Sequence, residues 1–466
     1  MTLNMIEGNP TKLLIKFSIP MLIGNIFQQV YNLVDSVIVG QFVGKDALAA
    51  VGATGSLTFF FFALCNGLAS GGGIITSQAF GRGDTRDVKN CIANTGYIMT
   101  VMPILVGVLA FLLTRPLLNL LETPEVIMDD ACAYMQTQCI GLLFVSLYNL
   151  ASSMLRALGD SRTPLVFLIF SCILNAGLDI LFVYNFEMGA FGAGVATVIA
   201  QFVSGAACLI YAFKSNPYFK LDRNDIRINK SLINKTLKLG IPLSLQFSLI
   251  AISSMALQRV VNTFGEVTVA AFTATSRIEQ MIHQPYQTLS AALATFCGQN
   301  YGARRNDRMI TGYYKSLWIM IGFTVIMVPV MQLFGSNIMS LFVKEQEVID
   351  MGAKALKISS AFYIFLGMIY VVRGVLNGIG DSFFALLNGV VEVIGRFVVP
   401  VVLTGIAAIG LWGIWWSVGI VWFLSGVTAW MRYVQQKKKL GNIYDKPLML
   451  NGSAEADTLQ DSFDKQ

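Results

Sequence analysis

The chain has 466 residues, of which 55% are hydrophobic and only 13% charged. A soluble domain of that length needs far more charge to cover its surface, so this composition belongs to a membrane protein. The net charge of +6 is confined to short segments between apolar runs, which makes it a topology signal and argues against a nucleic-acid partner.

Along the chain, apolar runs bounded by turn residues predict twelve spans, at about 13–39, 46–76, 88–113, 128–157, 163–185, 189–213, 233–263, 268–297, 310–334, 347–377, 383–407 and 410–434. No barrel-like alternation occurs, so each span reads as a helix that satisfies its own backbone. The first run starts after Lys12 and Lys16 and has no small-residue cleavage site, so it reads as span 1 and not as a signal peptide. In span 2 the stretch GLASGGG (67–73) lacks the Lys-Ser/Thr ending of a phosphate loop and predicts close helix packing.

Basic residues gather after spans 2, 4, 6, 8 and 12: Arg82, Arg86 and Lys89; Arg156 and Arg162; seven between Lys214 and Lys238; Arg304, Arg305 and Arg308; Lys437, Lys438 and Lys439. The other loops hold little beyond Lys45, Arg115 and Lys344. The positive-inside rule then makes both termini cytoplasmic, in a multi-pass plasma-membrane protein. The basic stretch 214–232 reads as a cytoplasmic linker and 437–466, polar and acidic past 441, as a disordered tail. The seven cysteines form no CxxC pair and read as small buried hydrophobes.

The two halves repeat at an offset of about 221 residues. SIP (18–20) returns as GIP (240–242), SQAFGRGD (77–84) as GQNYGARRND (298–307), and LRALGDS (155–161) as LNGIGDS (376–382). Gly189 and Gly192 return as Gly410 and Gly413. Six spans per copy is an even number, so both copies enter from one side. The expected fold is an all-α membrane protein of twelve transmembrane helices in two six-helix lobes, 10–213 and 233–436. They are related by a pseudo-twofold axis along the membrane normal, with a cleft between them.

No ATP site is visible, and the lone His283 stands outside any metal motif, so neither an enzyme nor a metal or other cofactor is expected. Within the spans lie Asp35, Asp179, Arg277, Glu279, Glu392 and Arg396. Ionisable groups at this depth are costly and mark partners or water-filled paths. Asp35 and Asp179 share a lobe without a mid-span Lys or Arg, so they read as a coupled pair that loads a proton on one side and releases it on the other. Glu392 and Arg396, four apart, share a helix face and are expected to pair. Arg277 and Glu279, with His283 and Gln287 beyond, are expected to form a neutralised wall of a substrate cavity.

These residues resemble the multidrug and toxic compound extrusion family over about residues 10–436. The span 1 aspartate with a proline fifteen residues earlier matches Asp35 and Pro20. The span 5 Asn-x-x-x-Asp matches Asn175 and Asp179, the span 4 tyrosine Tyr134, and the span 6 threonine Thr197. The resemblance implies export of small, bulky, mostly cationic amphiphilic drugs against protons, with sodium as the other coupling ion. It also implies a span 1 that bends at its proline when the aspartates are protonated, in a protein expected to be monomeric. Sodium-coupled members carry a glutamate in span 7 and an aspartate in span 10, where this chain has Ile250 and Leu366, so a sodium site in the second lobe is not expected. A flippase for lipid-linked or polysaccharide precursors, from the same superfamily, is the alternative, because Arg277 and Arg396 suit an anionic head group.

Overall fold

The computed structural model describes residues 3–444, which are helical almost throughout. The first half comprises α1 (Pro10–Phe42), α2 (Lys45–Arg82), α3 (Thr85–Leu112), the short α4 (Thr114–Leu120), α5 (Glu125–Ala157), α6 (Arg162–Asp179) and α7 (Gly189–Ser215). The second comprises α8 (Lys230–Asn262), α9 (Glu266–Gly302), α10 (Asn306–Ser340), α11 (Gln346–Ser360), α12 (Tyr363–Ile379), α13 (Ser382–Thr404) and α14 (Gly413–Tyr444). No strand occurs among the described residues.

Among those residues, ten helices are long and apolar enough to cross a membrane, and α11 and α12, bent by 52° at their junction, make an eleventh span. The twelfth is α9, which at 37 residues is long enough but carries Arg277, Glu279, His283 and several glutamines. The continuous apolar pattern of 347–377 predicts one helix there; the structure breaks it at Ala361–Phe362. Gln332 of α10 donates to the Lys357 carbonyl (2.9 Å) and to Ser360 Oγ (3.0 Å), satisfying backbone next to the break. α14 runs on to Tyr444, so residues 437–444 of the expected tail are helical. The rest of that tail lies outside the described residues.

The repeated motifs do matching structural work. Gly159 and Gly380, in the two GDS turns, have φ of +86° and +90°, a region where a side chain is strained. Gln78 Nε2 donates to the Gly378 carbonyl and its repeat partner Gln299 Nε2 to the Ala157 carbonyl, both at 2.9 Å. A Cβ on Gly81 would stand 1.9 Å from the Gln299 carbonyl oxygen, and one on Gly302 would stand 1.9 Å from that of Gln78. This reciprocal clasp joins the two halves at the end of the molecule where α1 begins. Residues 3–8 strap across it: the Leu3 N–H donates to the Gly159 carbonyl (3.1 Å) and the Met5 N–H to Gln299 Oε1 (2.9 Å).

The GLASGGG stretch packs as its composition predicts. A Cβ on Gly67 would lie 2.2 Å from Ser244 Oγ and one on Gly71 2.6 Å from the Gly240 nitrogen, so α2 and α8 cross almost backbone to backbone. The Ser244 hydroxyl donates to the Leu64 carbonyl at 2.8 Å across that crossing.

Candidate functional site

Four helices of the first half converge on Asp179. It ends α6, at the junction with a π-helical turn, Ile180–Asn185, of a kind often found at functional sites. Asp179 is 0% exposed, and Asn175, one turn before it, is also buried. The Thr197 backbone N–H can only donate, so the Asn175 amide turns its oxygen to that N–H (3.1 Å) and its nitrogen to Asp179 Oδ2 (2.8 Å), to which it donates. Thr197 lies on α7, and its hydroxyl also meets the Tyr31 hydroxyl of α1 at 3.4 Å.

One turn after Tyr31, the half-buried Asp35 carboxyl lies beside that of Asp179. Two carboxyls so close repel one another when both are ionised. Tyr134 of α5 is buried beside both. The remaining oxygens, Asp35 Oδ1 and Asp179 Oδ1, are buried without a protein partner. Among the described residues neither acid is paired with a Lys or Arg. All five polar residues expected here, Asp35, Tyr134, Asn175, Asp179 and Thr197, are thus brought together. Tyr31 joins them; its position one turn before Asp35 in YNLVD is the signal that could have found it.

The second half departs from expectation. Glu392 is buried and pairs with Arg373 of α12, not with Arg396. Arg373 also donates to Asn388 Oδ1 through Nε (3.0 Å) and Nη2 (2.7 Å), and Asn388 donates on to the Ser425 carbonyl (2.9 Å). Arg373 stands in YVVRGVLNG and passes for a residue near a loop; its burial shows only when α12 packs on α13. Arg396 instead gives Nη1 to Ser253 Oγ and Ser254 Oγ of α8, each at 3.2 Å, and its Nε has no protein partner.

Arg277 and Glu279 do not pair either, because residues two apart point to opposite sides of a helix. Arg277 and Gln287 are exposed, while Glu279 and His283 are half-buried on the side facing Arg396. Glu279 lies near Ser359, beside the α11–α12 break, and the His283 ring meets Trp422 at 5.6 Å. Buried Glu279 Oε1 and His283 Nε2 lack protein partners. The expected cavity wall is therefore split into a neutral Arg373–Glu392 pair and a separate Glu279–His283–Arg396 group. Leu366, where sodium-coupled members of the resembled family carry an acid, is buried and apolar.

The MatE family profile matches the chain twice, over residues 20–181 and 242–402. Both matches begin at the repeated proline, Pro20 and Pro242, in agreement with the internal repeat. The chain is 32% identical over 430 residues to the probable multidrug resistance protein YpnP of Bacillus subtilis, covering 92% of this chain and 95% of that protein. To the multidrug export protein MepA of Staphylococcus saprophyticus it is 23% identical over 447 residues, 94% and 96% of the two chains. Among solved structures, one of a MATE protein in a straight conformation superposes with a TM-score of 0.89 at 23% identity, covering 94% of this chain and 98% of that one. A transporter of the MOP superfamily from Pyrococcus furiosus gives 0.87 at 22%, with coverage of 94% and 98%. With its two profile matches, twelve spans in two lobes and no enzyme among these relatives, the chain belongs to the MatE family of membrane transporters.

Proposed function

We propose that the protein is a secondary antiporter that exports amphiphilic, mostly cationic organic compounds in exchange for protons. The observation that carries this reading is the Asp35–Asp179 contact: two acids set beside each other, with Asn175 bonded to Asp179 and, among the described residues, no Lys or Arg ion-paired with either. Such a pair holds one proton between its members and must rearrange when that proton is lost or a second one arrives. Because Asp35 lies on α1 and Asp179 on α6, the rearrangement moves α1. Pro20, inside α1, removes one backbone hydrogen bond and supplies the bend. Multidrug export is what the names of YpnP and MepA state of those proteins, and it supports drugs as the cargo here.

In the same reading the lobes are 10–213 and 233–436, joined by the linker 214–232, in a monomer of the plasma membrane. The basic loops put both termini in the cytoplasm. The Glu279–His283–Arg396 group and the exposed Arg277 and Gln287 line the cargo path, and the buried Arg373–Glu392 pair serves the packing of that lobe. No cofactor is required, and sodium is a weak substitute for the proton because Ile250 and Leu366 offer no ligand. The direct test is ethidium accumulation in cells that express the protein. Ethidium is expected to be excluded, and a protonophore to abolish the exclusion. Exclusion that survives the protonophore, or never appears, overturns the reading.

A further inference from the structure

Pseudo-symmetry pairs two crossings between the halves, and they are built differently. α2 meets α8 through Gly67, Gly71, Gly240 and Ser244 with no space between. Aligned by the SQAF/GQNY and SIP/GIP motifs, these positions correspond to Thr288 and Ala292 of α9 and to Ser18 and Leu22 of α1. At this second crossing the larger side chains hold the helices apart. Ser18, Leu22 and Thr288, together with Ile319, Met320 and Phe323 of α10, enclose a cavity of about 170 Å³. Dry cavities of about 150 Å³ lined by aliphatic and aromatic groups take up benzene-sized apolar molecules. Nearby, Asn25 Nδ2 donates to Thr288 Oγ1 (3.3 Å) between the helices, and Ser18 Oγ is buried without a protein partner among the described residues.

The rim faces outward: Ile15 and Ile19 are 42% and 50% exposed. An apolar space open at the side of a membrane protein adjoins lipid chains, and water gains little there. Toward the start of α1 the same helix faces turn basic. Lys12 is one turn before Ile15, Lys16 one turn before Ile19, and on α10 Lys315 one turn before Ile319; all three are exposed. Tyr314, beside Lys315, meets Lys437 through its hydroxyl (3.2 Å), a tyrosine–lysine pair of the kind that sits at head-group level.

We propose that the α1–α9–α10 cavity binds one acyl chain of an anionic phospholipid, whose phosphate is held by Lys12, Lys16 and Lys315. The bound lipid packs on both sides of Pro20, against Ser18, Ile19 and Leu22, and so stabilises one shape of α1. This site is independent of the proton pair and does not depend on which compound is exported.

Native mass spectrometry tests it. The full-length protein is released from nanodiscs holding equal amounts of phosphatidylglycerol and phosphatidylcholine with the same chains. One phosphatidylglycerol is expected to stay bound, at least fivefold over phosphatidylcholine. Leu22→Trp, which fills the cavity, is expected to lose the retained lipid. The surface triple variant Lys12→Gln/Lys16→Gln/Lys315→Gln, which leaves the core untouched, is expected to keep a lipid but lose the preference. Equal retention of the two lipids by the unmodified protein, an unchanged preference in the triple variant, or displacement of the lipid by ethidium would overturn the proposal. The last result would make the cavity a cargo entrance.

Discussion

At Asp179 one carboxyl oxygen is bonded by Asn175 while the other, like Asp35 Oδ1, is buried and unpartnered. An asparagine has the same shape but cannot exchange a proton. Asp35→Asn and Asp179→Asn are therefore each expected to lower pH-driven efflux by roughly a hundredfold, the low end of what a positioned proton-transfer group contributes. Unchanged expression, checked by fluorescence-detected gel filtration, separates this loss from misfolding. Near-normal efflux by both variants would remove the pair from the coupling role. In the other lobe the contrast lies between two arginines. Arg373→Met leaves Glu392 buried without a partner and is expected to cost about 3–5 kcal/mol, seen as a lowered Tm in detergent. Arg396→Ala strands no paired acid and is expected to change Tm little; the reverse order would contradict the pairing described above. The N-lobe set was legible because Asp35, Asn175 and Asp179 stand alone in apolar sequence. The Glu392 partner was not, because a spacing of four shows which residues share a face but not that Arg373, from another helix, reaches Glu392 first.

The helices show a similar divide between what a local pattern reveals and what packing decides. Span limits and repeated turns were readable, since each copy needs glycine at the same backbone position, as at Gly159 and Gly380. The break between α11 and α12 was not, because 347–377 stays apolar throughout and the carbonyl at Lys357 is satisfied by Gln332, from a different helix. The Gln78–Gln299 clasp uses a motif whose repetition was visible but whose partners, the Gly378 and Ala157 carbonyls, were not. Each of these hydrogen bonds is worth about 1 kcal/mol. Gln78→Ala and Gln299→Ala are each expected to shift the equilibrium roughly fivefold toward separation of the lobes at that end. Spin-label distances between the clasp ends of α5 and α12 would show it as a larger long-distance population. Gly302→Val, which drives a side chain into the Gln78 carbonyl, is expected to favour separation more strongly. Distances unchanged in all three variants would deny the clasp any hold on the conformation.

For the whole molecule, the two lobes differ in chemistry despite a shared repeat. The first holds acids without cations at Asp35 and Asp179; the second pairs its buried Glu392 with Arg373 and sets Arg396 near Glu279 and His283. In the proposed function the cargo path is flanked by both signs and by Trp422 and Tyr370, which meet His283, an arrangement expected to favour lipophilic monocations over dications. A resistance panel of cationic, neutral and anionic amphiphiles is expected to show that order, and export of anions alone would promote the flippase reading. In the proposed mechanism protons, loaded at Asp35 and Asp179, drive export. It is tested most directly by ethidium transport in proteoliposomes under an imposed pH gradient without sodium, and under a sodium gradient without a pH difference. Robust transport is expected in the first case, abolished by Asp179→Asn, and weak transport in the second. Robust sodium-driven transport at uniform pH, with none under the pH gradient, would contradict it.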